Sequence, residues 1–78
     1  MKPTFAVVIW EDAMMAGHWQ EGQVPEHEGP CLVYSIGWLI QSSKEKVVLV
    51  QSLTDGAHGN ALTIPRGMVR VISKAVLD

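Results

Sequence analysis

Cysteine occurs once in these 78 residues, at Cys31, so no intrachain disulfide can form and a reducing compartment fits best. No Cys-x-x-Cys pair signals a structural zinc. No apolar run approaches the ~20 residues a membrane span needs; the longest, Cys31 to Ile40, is broken by Ser35 and Gly37. The apolar run Phe5–Trp10 is shorter than the core of about 7–15 residues in a secretory signal, and a cytoplasmic chain that does not enter a membrane is expected. Catalytic signatures are missing too: there is no G-x-S-x-G, P-loop, dinucleotide fingerprint or H-E-x-x-H. Ser35, Ser42, Ser43, Ser52 and Ser73 have no neighbouring base. These absences point away from an enzyme and from any cofactor.

What remains is a single small domain over 1–78, 47% hydrophobic and only 18% charged. A chain this short buries only about 60% of its unfolded surface. Without disulfide or metal, the expected supplement to its stability is self-association. The net charge of −2 disfavours a general nucleic-acid binder. Charge is unevenly spread: residues 1–30 set Lys2 against Glu11, Asp12, Glu21, Glu26 and Glu28, while Lys44, Lys46, Arg66, Arg70 and Lys74 dominate residues 31–78. Two such regions suit different partners, or each other across an oligomer.

The pattern is that of an all-β, mainly-β chain. Thr4–Trp10 is β-branched and aromatic and reads as a first strand. Residues 11–30, rich in Gly, Pro and acids, read as a long loop, with one helical turn at Asp12–Ala16 capped by Asp12. Cys31–Gln41 is the second strand, with Leu32, Tyr34, Ile36, Trp38 and Ile40 on one face and Cys31, Val33 and Leu39 on the other. Gly37 in its middle marks a bend or bulge. Val47–Leu53 is the third strand. Thr54–Asn60 is a turn built on Asp55-Gly56, and Ala61–Ile64 is a short fourth strand stopped by Pro65. Pro65-Arg66-Gly67 forms a 3₁₀ turn that leads into a fifth strand, Met68–Lys74. If the core takes the other faces, Val33, Leu39, Val48 and Val50 point outward and supply the surface for self-association.

This succession of elements, with the ending Leu62-Thr63-Ile64-Pro65-Arg66-Gly67-Met68-Val69-Arg70-Val71-Ile72, resembles the SH3-like barrel, its Sm-like group included. The resemblance implies a small five-stranded barrel with a long loop between strands 1 and 2. The aromatic-acidic motif and tryptophan pair of the proline-rich-peptide binders are missing, and so is the Asp-aromatic-x-Asn of Sm-type RNA binders. A second likeness rests on Trp10-Glu11-Asp12-Ala13, Gly37-Trp38-Leu39-Ile40, Val47-Val48-Leu49-Val50 and Ile64-Pro65-Arg66-Gly67-Met68-Val69. It is similar to roughly 70-residue bacteriophage-encoded proteins, most without an assigned function. That likeness implies a phage-type binding protein acting against host defence, by sequestering a nucleotide immune signal or blocking a host protein.

The candidate ligand-binding residues are Trp10, Trp19, Arg66, Arg70, His18 and Asn60. An indole such as Trp19 or Trp10 stacks on a base, and a guanidinium on a rigid turn, as at Arg66, suits phosphate. Trp38 is assigned to the core. Against the ligand reading, Arg66 and Arg70 also suit a solvated turn and a cross-strand ion pair with Glu11 or Asp12. Gly56, Gly59 and Asn60 either present amides to an anion or simply make the turn. His18, Glu26, His27, Glu28, Cys31 and His58 match no metal spacing, and no metal is assigned. Two function classes stand: a phage-type module that sequesters a nucleotide-like ligand or blocks a host protein, and a structural or homo-oligomeric interaction module without a small ligand. A Sm-like nucleic-acid binder is a weaker third.

Overall fold

A computed structural model describes residues 2–12 and 31–77. Five antiparallel strands form one sheet: β1 (Thr4–Asp12), β2 (Cys31–Ser42), β3 (Lys46–Leu53), β4 (His58–Pro65) and β5 (Val69–Val76), with a 3₁₀ turn at Arg66–Met68 before β5. The order across the sheet is β4-β3-β2-β1-β5. Strands 1 to 4 thus form a meander, and β5 returns to the free side of β1.

Several boundaries move from their expected places. Glu11 and Asp12 belong to β1, paired with Leu32 and Cys31, so the strand runs two residues further than expected. The rest of the 11–30 segment, including 13–16, lies outside the described residues. The turn after β3 is only Thr54–Ala57. The Thr54 amide donates to the Ala57 carbonyl at 2.8 Å and the Ala57 amide donates to Thr54 Oγ1 at 3.1 Å. This closure on Asp55-Gly56 frees His58, Gly59 and Asn60 to pair as the start of β4. Pro65 ends β4 opposite Lys46, on an edge strand, where a missing N–H costs nothing.

The core lies on one face of the sheet. Ala6, Val8 and Trp10 from β1, Val47 and Leu49 from β3 and Ile64 from β4 form one buried cluster, against which Val33, Leu39, Val69 and Ile72 pack. All five strands contribute, including both edges, so the sheet curls around this face. Burying the indole of Trp10 requires an acceptor for its N–H. Ser35, two residues from Trp10's register partner Val33, supplies it: Nε1 donates to Ser35 Oγ at 3.0 Å.

That hydrogen bond corrects the expected orientation of β2. The ladder pairs Ala6 with Gly37, Val8 with Ser35 and Trp10 with Val33, and directly paired residues share a face. Val33 and Leu39 therefore pack on the core, and Val48 and Val50 are buried at 8% and 1% exposure. Val50, opposite Trp38, and Val48 lie on the other face of β3 from Val47 and Leu49 but are covered there, so none of the four lies exposed on the surface. The other set does: Leu32, Tyr34 and Ile36 are 52%, 66% and 60% exposed. Trp38 shares their face, edge-on to Phe5 with ring centroids 5.8 Å apart.

At Gly37 β2 lies close against β3. A Cβ there would lie 2.8 Å from the Val50 carbonyl oxygen and 3.4 Å from Leu49 Cβ. The strand then bulges between Leu39 and Gln41, which gives local twist. Gly37 is thus a contact requirement, and the bulge expected there falls further along the strand. Replacing Gly37 by Ala is expected to destabilise the fold by about 1–3 kcal/mol through overpacking against backbone, whereas Gly56→Ala, whose Cβ meets nothing within 4 Å, should stay within about 0.5 kcal/mol. Urea unfolding midpoints of the two variants check this difference.

Candidate functional site

Two surface features adjoin along β2. The first is the outer face of the β2-β1-β5 half of the sheet. The register places Trp38, Phe5 and Ala75 in one row, Ile36, Val7 and Ser73 in the next, and Tyr34, Ile9 and Val71 in the third. Val71 is 51% exposed. At ordinary strand spacing these rows cover roughly 300 Å² of sheet, the size of the largest apolar patch on a typical monomer and often a functional one.

This apolar surface ends at a charged row. Leu32 pairs with Glu11, and Arg70 on β5 donates from Nε to Glu11 Oε1 at 2.6 Å. The hydrogen bond from Arg70, with its positive charge adding to it, holds the Glu11 carboxyl below the usual glutamate range although partial desolvation opposes the shift, and Glu11 in turn raises Arg70.

The second feature is a cleft of about 190 Å³ lined by Ser35, Ile36, Leu49, Val50, Gln51, Asn60 and Leu62. It opens because β3 pairs with β2 only as far as Trp38 opposite Val50; beyond that point β3 continues with β4 alone. Asn60 sits on its rim at φ 58°, in the left-handed region that asparagine tolerates better than most residues. Its side-chain N–H donates to Gln51 Oε1 at 3.4 Å. The lining is uncharged: four aliphatic side chains, one hydroxyl and two amides.

Among the described residues, the expected ligand residues do not come together. Trp10 is in the core with its N–H satisfied, so its ring is not offered to a ligand. Arg66 braces the 3₁₀ turn against the β2–β3 turn: Nε donates to the Ser43 carbonyl at 2.8 Å and Nη2 donates to Ser42 Oγ at 2.7 Å. Its backbone amide also donates to the Glu45 carbonyl at 2.9 Å. Arg70 forms the expected cross-strand ion pair with Glu11, on another part of the sheet. Asn60 alone lines the cleft. His18 and Trp19 lie outside the described residues, as do Glu26, His27 and Glu28. Among the described residues no group of three or more His, Cys, Asp or Glu side chains is placed to hold a metal, and Cys31 is a half-buried free thiol.

Sequence reasoning grouped Leu32, Tyr34, Ile36 and Trp38 correctly as one face but turned it inward, and it passed over Gln51 and Leu62. The available signal was Ser35: a polar residue in the row with Val33 makes sense inside only as the acceptor for a buried Trp. No family model, no curated protein and no solved structure matches the chain.

The Glu11–Arg70 pair carries a pH dependence. Glu11's folded pKa is depressed, so its contribution is fully present above the unfolded value of about 4.3 and is lost as pH falls through the lower folded value. Glu11→Gln should therefore destabilise the chain at pH 7, and the gap to wild type should close toward pH 3. Denaturant midpoints at the two pH values measure it; an equal gap at both would contradict the assignment.

Proposed function

We propose that this chain is a small interaction module, an SH3-like barrel that binds a second copy of itself through the outer face of β2, β1 and β5, and that it catalyses no reaction. The observation that carries the reading is the run of exposed apolar side chains on that face, from Leu32, Tyr34 and Ile36 to Val71. A chain of 78 residues without a disulfide gains most from covering such a surface. The barrel reading is supported by the strand order β4-β3-β2-β1-β5, by the single core that draws on both edge strands, and by the proline and 3₁₀ turn between β4 and β5.

The phage-type readings, sequestering a nucleotide immune signal or blocking a host protein, stand second. The base-stacking and phosphate-binding groups they call on are Trp10, Arg66 and Arg70, which the fold uses for its own packing and bracing, and Trp19 and His18 outside the described residues. A Sm-like nucleic-acid role stands third, with a net charge of −2 against it.

Sedimentation velocity tests the self-association reading. Wild type should associate at micromolar concentration, and the pair Tyr34→Asp and Ile36→Asp should shift it to monomer with the far-ultraviolet circular dichroism unchanged. Wild type that sediments as a monomer over the same range would overturn it.

A further inference from the structure

We propose that the β3-facing edge of β2 between Cys31 and Ile36, with the adjoining cleft, takes an extended, uncharged segment of a partner polypeptide as an added strand. β2 pairs with β1 over Cys31–Trp38 but with β3 only over Trp38–Ser42. Among the described residues the upstream half of β2 is thus paired on one side only. An unpaired strand edge presents a row of backbone donors and acceptors, and the group that satisfies such a row is another strand.

The surroundings of the edge select what that strand carries. Its floor and far wall are Leu49, Val50, Gln51, Asn60 and Leu62, so a side chain entering the cleft meets aliphatic carbon first and two amides at the rim. Among the described residues no cation lines it, and a phosphate or carboxylate placed there would lose its hydration without a counter-charge. A volume of about 190 Å³ suits the inserted side chains of a single added strand. The alternate side chains of the same segment would lie beside Leu32, Tyr34 and Ile36, whose exposure of more than half leaves apolar carbon to cover. Apolar contact is thus available on both faces of the added strand where the outer face is uncovered, and the backbone edge and cleft do not depend on that face pairing two copies.

The test is a titration of the isotope-labelled full chain, kept dilute, with a short capped peptide of alternating valine and serine carrying one terminal lysine for solubility. Two twins of the peptide carry N-methyl groups on its odd or its even residues. Saturable amide shifts are expected at Cys31–Ile36, Gln51 and Asn60. One twin should bind about tenfold more weakly and the other like the parent, because only alternate amides face the edge they pair with. Leu62→Asp should weaken binding by a similar factor while leaving the β1 and β5 shifts in place. Equal binding of both twins, shifts confined to Phe5, Val7 and Val71, or no saturable shift would each overturn the proposal. Shifts at the β2 edge that appear on concentrating the chain alone would overturn it in favour of a second copy. The self-association reading is scored separately, by sedimentation without peptide.

Discussion

The approach of the Gly37 backbone to the Val50 carbonyl is the constraint on which the rest of the sheet depends. It fixes where β2 and β3 touch, with space for no Cβ between them. Downstream of that contact β2 pairs with β3 and bulges; upstream, among the described residues, it pairs with β1 alone. One long strand thereby serves both halves of the curled sheet, and the price is a cleft where the halves part. The contact also sets the faces: with Gly37 opposite Ala6, the odd positions of β2 up to Leu39 look inward and its bulkier even positions look out.

Trp10 locks the same arrangement from the other side. A buried indole without an acceptor would forfeit a hydrogen bond worth about 1 kcal/mol net and leave a desolvated donor. Ser35 is the one polar side chain on the inward row of β2 between Val33 and Leu39, and it meets that need. Inverting β2 would bury the Tyr34 hydroxyl and remove the Trp10 acceptor, while exposing Val33 and Leu39. The exposed apolar face is therefore the consequence of a well-satisfied interior. Arg66 and Arg70 act in the same economy, the first tying the 3₁₀ turn to Ser42 and Ser43 and the second closing the charged end of the outer face with Glu11.

Much of this was legible without coordinates. The β-branched runs gave β1, β2 and β3 to within two residues, because such side chains suit a half-buried pleat and nothing competes with them locally. Gly37 read as a special position, and Pro65-Arg66-Gly67 as a tight turn, since both signals are local. The choice of inner face was not legible. β2 and β3 are apolar on both faces, so periodicity is silent, and the decision falls to a contact twenty-five residues away between Trp10 and Ser35. The same gap exchanged the tryptophans, placing Trp38 inside and leaving Trp10 as a contact residue. The cleft was invisible because it arises from where two ladders separate, which no stretch of sequence records.

The central claim is that, among the described residues, β2 is open along one edge upstream of Gly37 and closed downstream. Residue-resolved amide hydrogen exchange on the dilute chain measures this directly. The account predicts alternation over Cys31–Ile36, slow amides bonded to β1 interleaved with fast amides on the open edge, and uniform protection through Val47–Val50. Uniformly slow exchange over Cys31–Ile36, matching that of Val47–Val50, would contradict it.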